Sequence, residues 1–273
     1  MKIVRTVAGV RKAFDRQVAQ SHKAGHARVG LVPTMGAFHE GHLSLFRAAR
    51  AECDVVVVSL FVNPAQFAVG EDLQRYPRDE ARDAQVAAEA GVDVLFAPSA
   101  EELYPDGFQT WIEVEELAAR LEGEHRPGHF RGVATVCLKL FNIVRPDVAY
   151  FGQKDGQQVA VLRRMLLDLN LDLPLRVLRT VRDADGLALS SRNAHLSAEE
   201  RARALALPRA LEAGRRVHGD SGDAVAAARA ELNGLDPDYV ELFDLGDAKL
   251  LAAAARVGST RLIDNVVLEG ELT

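Results

Sequence analysis

The chain has 273 residues, is 48% hydrophobic and carries a formal net charge of −6, with a pI near 5.8. That acidic balance argues against binding nucleic acid or an anionic membrane, which calls for a basic excess, so an anionic ligand must be met by local cations. No apolar run approaches ~18 residues, and the N-terminal Met-Lys-Ile-Val-Arg-Thr lacks the apolar core of a signal peptide, so the sequence predicts a globular cytoplasmic protein with one large or two modest cores.

Strand-like and helical runs alternate through the first two thirds. In chain order they are a strand at 29–33, a helix at 41–52, a strand at 54–62, a helix at 79–90 and a strand at 93–96. After a polar excursion come a helix at 132–144, a strand at 147–151, a helix at 157–169 and a strand at 173–178. The run Val55-Val56-Val57-Val58 suits a strand buried on both faces of a parallel sheet. The fold class expected is α/β, a Rossmann-like doubly wound parallel sheet. Beyond Thr180 the chain becomes rich in Ala, Arg and Leu. It reads as a helix at 198–217, a break at 219–222, a second helix to 232 and strands at 238–243 and 260–268. These form a smaller α+β C-terminal domain, with the boundary placed between 1–179 and 180–273. Cys53 and Cys137 lie far apart in apolar surroundings and read as buried, reduced thiols.

The most informative segment follows the first strand of that alternation: Thr34-Met35-Gly36-Ala37-Phe38-His39-Glu40-Gly41-His42. A strand delivers a glycine-bracketed turn into a helix whose positive end suits phosphate, and His39 and His42 share one face if the helix has begun. Gly36 and Gly41 have Walker-loop spacing, but His42-Leu43 stands where Lys-Ser/Thr is required. A zinc-protease helix needs its second His four residues after the first, and position 43 is Leu. Two ordinary surface histidines in a βα loop remain the alternative for this segment alone.

Three further loops carry chemistry. Asn63-Pro64-Ala65-Gln66-Phe67 follows a strand and offers uncharged donors and acceptors for a small ligand with hydroxyls and a carboxylate; it reads equally well as a simple turn. In Gly152-Gln153-Lys154-Asp155-Gly156-Gln157-Gln158, a lysine near a helix N-terminus opposes the helix dipole and is better explained by an anionic ligand than by helix stability. A Lys154–Asp155 surface pair is the competing explanation. Gly186-Leu187-Ala188-Leu189-Ser190-Ser191-Arg192-Asn193 places two hydroxyls and a guanidinium in succession, as a loop closing over phosphates would, or as a solvated serine-rich turn would.

Together these segments, with Tyr104-Pro105-Asp106-Gly107, Arg126-Pro127-Gly128-His129-Phe130-Arg131-Gly132 and Thr260-Arg261-Leu262-Ile263-Asp264-Asn265, closely resemble the pantothenate synthetases, members of the nucleotidyltransferase superfamily. The resemblance spans nearly the whole chain. It implies joining of pantoate to β-alanine with ATP and Mg2+, through a pantoyl-adenylate, by a homodimer without a tightly bound cofactor. It further implies that Met35, Gly36, Ala37, Phe38, His39, Glu40, Gly41 and His42 line ATP, the last histidine giving direct help at the phosphates with His39 as its companion. Gly152, Gln153, Lys154, Asp155, Val181, Leu189, Ser190, Ser191 and Arg192 complete the nucleotide site, and Lys154 and Arg192 join the histidines as catalytic residues. Gln66 and Gln158 hold pantoate, Gln66 also faces β-alanine, and the second domain acts as a lid. No metal ligand is assigned.

The family usually has an aromatic residue where Gly156 stands, often Glu at Gln153 and more usually Leu at Phe38, so the helix entrance behind Lys154 is expected to be loose. Two other functions compete. A nucleotidyltransferase that stops at the nucleotide adduct would yield no amide. A noncatalytic nucleotide-binding protein would show weakened phosphate contacts, whereas His39, His42, Lys154 and Arg192 are all present.

Overall fold

The computed structural model describes residues 1–20, 27–68, 72–219, 222–232 and 234–271. Its first elements are β1 (Lys2–Val4), α1 (Val7–Gln20), β2 (Val29–Thr34), α2 (Glu40–Glu52), β3 (Val55–Leu60), α3 (Glu80–Glu89), β4 (Val94–Phe96), α4 (Ala100–Leu103), α5 (Glu122–His125), α6 (His129–Val144), β5 (Val148–Gly152), α7 (Gly156–Asp168) and β6 (Leu175–Leu178). These are followed by α8 (Ala198–Ala204), α9 (Ala206–Gly219), α10 (Ala224–Glu231), β7 (Asp236–Asp244), β8 (Ala248–Val257) and β9 (Thr260–Gly270).

The first six strands form one sheet in the order β1-β4-β3-β2-β5-β6. β2 is central, paired in parallel with β3 from Val29↔Val55 to Thr34↔Leu60 and with β5 at Gly30↔Val148 and Leu31↔Ala149. The strand order reverses between β2 and β5. That is the switch point at which open α/β sheets bind ligands beyond the carboxyl ends of their strands, and β2 runs there into the glycine-histidine turn. Val55, Val56, Val57 and Val58 are all buried, as a strand covered on both faces requires. Carboxylates close the opposite end: Asp147 accepts from the Val29 amide at 2.7 Å and Asp54 from the Arg28 amide at 3.0 Å.

The chain divides into two compact units, one of residues 1–151 and 161–176 and the other of residues 152–160 and 177–273. The sequence reading draws a single boundary at 179/180. In the structure residues 152–160 cluster with the C-terminal residues because Asn265 on β9 hydrogen bonds to the main chain of Gln153 and Lys154. The second unit is built on the antiparallel sheet β7-β8-β9. Its core gathers Leu207, Ala210 and Leu211 of α9, Ala228 of α10, Val240 of β7 and Leu251 and Ala253 of β8.

β8 is absent from the sequence reading. Its Ala252-Ala253-Ala254-Ala255 run favours a helix locally, but as the middle strand it is hydrogen bonded on both sides and buried among helices, and tertiary context overrides propensity. The helix expected at 198–217 is two helices meeting at Leu205. Of the predicted break at 219–222, residues 220 and 221 lie outside the described residues. Both cysteines are buried free thiols. No helix among the described residues is long and apolar enough to cross a membrane.

Candidate active site

In the first unit, the turn after β2 carries positive φ at Gly36 (88°) and at Ala37 (54°), a conformation costly for a residue with a side chain. Asp83 on α3 holds it: the buried carboxylate accepts from the amides of Ala37 and Phe38, both at 2.8 Å. Phe38 then turns its ring inward, 5.1 Å edge-on to Phe46 and 5.4 Å from His42.

His39 is the N-cap of α2, and its Nδ1 accepts from the Gly41 amide at 3.2 Å. In return the His39 amide donates to Nδ1 of His42 at 3.3 Å, a capping box in which histidine replaces the usual Ser/Thr and Glu/Gln. Since both Nδ1 atoms are acceptors, each neutral imidazole carries its proton on Nε2 and donates from there. The rings lie 4.2 Å apart. The amides of Gly36, Ala37, Phe38, His39 and Gly41 donate to Thr34, Asp83 and the two histidines, and each imidazole adds an Nε2–H donor to the turn. Glu40 instead forms a surface pair with Arg47, whose guanidinium holds its carboxyl below the usual range.

Gln66 ends a short 3₁₀ turn, Pro64–Gln66, capped by Asn63. Because Asn63 Oδ1 accepts from the Ala65 amide, its Nδ2 donates to Gln66 Oε1 at 2.9 Å, leaving Nε2 as the face this glutamine presents. Both side chains are buried. α6 presses against the turn: a β-carbon on Gly132 would lie 2.2 Å from the Ala65 carbonyl oxygen, so only glycine permits this approach.

In the second unit, Gln153, Lys154 and Asp155 form a 3₁₀ turn leading into α7. Lys154 Nζ lies 3.5 Å from the Asp155 carboxylate, and its side chain is only 18% exposed. Asn265 donates from Nδ2 to the carbonyl oxygens of Gln153 and Lys154, each at 2.9 Å, and its Oδ1 accepts from Gln153 Nε2 at 3.2 Å. The neighbouring Asp264 is buried and gripped by both terminal nitrogens of Arg182, at 2.6 and 3.1 Å. The looseness expected at Gly156 is not found. Its φ is an ordinary helical −56°, but a β-carbon would sit 2.6 Å from Leu250 Cδ1 and 3.4 Å from Asn265 Nδ2.

Val181 and Leu189, distant in the sequence reading, are direct partners: the Leu189 amide donates to the Val181 carbonyl at 3.0 Å across a tight hairpin that also bridges Arg182 and Ala188. Ser190 then caps the 3₁₀ turn Ser191–His195, its hydroxyl accepting from the Arg192 amide at 3.3 Å. The segment read from sequence as a loop or a serine-rich turn is therefore a hairpin followed by a 3₁₀ turn.

Residues 2–267 match the family model of pantoate-beta-alanine ligase. The chain belongs to the pantoate–β-alanine ligase family. It is 52% identical over 283 residues to pantothenate synthetase 1 of Bradyrhizobium diazoefficiens, covering 98% of both chains. It is likewise 52% identical over 285 residues to the pantothenate synthetase of Heliobacterium modesticaldum, covering 97% of this chain and 100% of that one. Among solved structures, a pantothenate synthetase from Thermus thermophilus superposes with a TM-score of 0.90 at 45% identity, over 98% of this chain and 99% of that one. The pantoate-beta-alanine ligase from Francisella tularensis, complexed with beta-gamma ATP and β-alanine, superposes with a TM-score of 0.81 at 36% identity, over 99% of each chain.

Within this ligase fold the residues singled out from sequence fall into two groups. Met35, Gly36, Ala37, Phe38, His39, Glu40, Gly41, His42 and Gln66 belong to the first unit, and Gly152, Gln153, Lys154, Asp155, Gln158, Val181, Leu189, Ser190, Ser191 and Arg192 to the second. Sequence reasoning gave no role to residues that hold these in place: Asp83 under the histidine turn and the pair Arg182–Asp264. Asp83 left no signal, being one acid among several on a polar helix. Asn63 was read either as a ligand contact or as the start of a turn, and in the structure it caps the turn that carries Gln66.

Proposed function

We propose that this chain joins pantoate to β-alanine in two steps at the expense of one ATP. A pantoate carboxylate oxygen attacks the α-phosphorus, forming a pantoyl-adenylate and expelling pyrophosphate. The β-alanine amine then attacks the acyl carbon, loses a proton and expels AMP. The match across residues 2–267 carries this reading, and the relative complexed with beta-gamma ATP and β-alanine supports the choice of substrates.

A carboxylate is already a nucleophile and needs no general base, so the protein's task is orientation and neutralisation of phosphate charge. His42, assisted by His39, suits that task as a neutral Nε2–H donor rather than a base. Lys154 and Arg192 add fixed positive charge, and Ser190 and Ser191 add hydroxyls. Met35, Gly36, Ala37, Phe38, Glu40, Gly41, Gly152, Gln153, Asp155, Val181 and Leu189 shape the nucleotide site. Gln66 presents Nε2–H to oxygen atoms of pantoate and of β-alanine, and Gln158 to pantoate. No serine or cysteine nucleophile is required, since the adenylate is bound rather than attached to protein.

Mg2+ enters this scheme on the phosphates of ATP. Among the described residues no group of three or more His, Cys, Asp or Glu side chains is arranged to hold a metal. The proposal also includes the division of labour between residues 1–179, binding nucleotide and pantoate, and the C-terminal lid, together with a homodimeric state and a cytoplasmic location. Incubation with ATP, pantoate and β-alanine tests it: pantothenate, AMP and pyrophosphate should appear in equal amounts, and ADP with phosphate, or a nucleotide adduct without an amide, would contradict it.

A further inference from the structure

The Arg126-Pro127-Gly128-His129-Phe130-Arg131-Gly132 segment has no role in the chemistry above, yet it meets the turn carrying Gln66 at several points. His129 Nδ1 lies 2.9 Å from the Gln66 carbonyl oxygen, and an Arg126 terminal nitrogen donates to the same oxygen at 3.2 Å. The other terminal nitrogen of Arg126 lies 3.1 Å from His129 Nε2. Asn63 Nδ2, which holds the Gln66 side chain, also donates to the Gly132 carbonyl at 3.1 Å.

These contacts fix the protonation of the ring. A guanidinium only donates, so Nε2 of His129 must be the acceptor; a carbonyl only accepts, so Nδ1 must carry the proton. His129 is thus a neutral imidazole in the Nδ1–H form, opposite to that of His39 and His42. Arg126 is nearly buried, with the Glu122 carboxylate 3.9 Å away as its counter-charge.

We propose that His129, locked in this tautomer by Arg126, is a positioning residue for Gln66: it sets the main chain of the turn, as Asn63 sets the side-chain amide, so that Nε2 of Gln66 meets pantoate. This rests on the reading that Gln66 binds pantoate. Two hydrogen bonds on one carbonyl, one from a charged donor, orient the peptide more tightly than either alone, and Gly132 lets the helix come close enough to make them.

Initial rates with pantoate, β-alanine and ATP varied in turn test this on Gln66→Ala, His129→Asn, His129→Gln and the double variant Gln66→Ala/His129→Gln, each checked for an intact melting transition. His129→Gln should raise KM for pantoate roughly tenfold, the scale of one lost buried hydrogen bond, with KM for ATP within about twofold. His129→Asn, whose side-chain amide reaches the position of Nδ1, should recover most of that loss. In the Gln66→Ala background His129→Gln should add nothing. Should His129→Gln fail to fold, Arg126→Met, which removes the donor to Nε2, should show the same selective rise. NMR of 15N-histidine-labelled protein should find one histidine protonated at Nδ1 and bare at Nε2, its signals lost in His129→Asn.

An unchanged pantoate KM in His129→Gln, alongside a raised one in Gln66→Ala, would overturn the positioning role and leave the glutamine assignment standing. The full tenfold effect persisting in the Gln66→Ala background would replace positioning by direct contact with substrate. An unchanged pantoate KM in Gln66→Ala would overturn the glutamine assignment and, with it, the inference.

Discussion

Asn265 donates from its side chain to the main-chain oxygen of Lys154 at 2.9 Å, so a residue near the end of the chain holds the turn carrying the lysine assigned to the phosphates. The same nitrogen serves the Gln153 carbonyl, and the side chain is buried. Asn265→Asp keeps the shape but sets a carboxylate against two carbonyl oxygens, leaving buried acceptors unpaired. Turnover should fall at least tenfold, and the double variant Lys154→Ala/Asn265→Asp should be no slower than Lys154→Ala. A folded Asn265→Asp protein with wild-type turnover would show that the turn holds itself.

The interlocked histidines make two separable predictions. His42→Ala should lose on the order of 10²–10³-fold in turnover, the scale of one transition-state donor. His39→Ala should also cost about 1 kcal/mol of stability, because it removes the N-cap of α2. Rate measurements and urea melts on both variants separate the effects. A His42→Ala enzyme that still forms the adenylate at the wild-type rate would remove that histidine from the chemistry.

At Gly156 the structure reverses the expectation from sequence. Because a β-carbon there meets Leu250 and Asn265, Gly156→Tyr overpacks the second unit and should cost about 1–3 kcal/mol, despite the better helix propensity of tyrosine. A lower melting temperature is expected. An unchanged or higher one would mean that Leu250 gives way freely.

Alkaline titration should separate the tyrosines. Burial pushes the Tyr104 hydroxyl up to about 12 and raises Tyr150 as well, where the hydroxyl also donates to Glu52 at 2.9 Å. A raised folded pKa means stability present below the ordinary tyrosine value near 10 and lost as pH climbs through about 12. Phenolate absorbance should therefore show a late component that Tyr104→Phe diminishes. All four tyrosines ionising together near 10 in folded protein would contradict the burial.

The inner strands β2 to β5 were legible in sequence because they are buried on both faces, as Val55 to Val58 show, whereas the short, exposed edge strand β1 was not. The alanines of β8 fit helix or strand, and only two neighbouring strands decide between them. His39, His42, Lys154 and Arg192, the side chains proposed to act on the phosphates, stood out in sequence because they sit beside glycines or hydroxyls at the ends of elements. Their supports were not: Asp83 lies 46 residues from the Ala37 amide it accepts, and Asn265 lies 111 from the Lys154 carbonyl. Gly156 misled because its helical φ hid a contact that only the folded second unit creates.

The most direct test of the account is exchange of labelled pyrophosphate into ATP with pantoate present and β-alanine absent. The adenylate reading predicts pantoate-dependent exchange at a rate comparable to turnover, with AMP released only once β-alanine is added. Exchange that requires β-alanine would contradict a bound adenylate formed before the amine attacks.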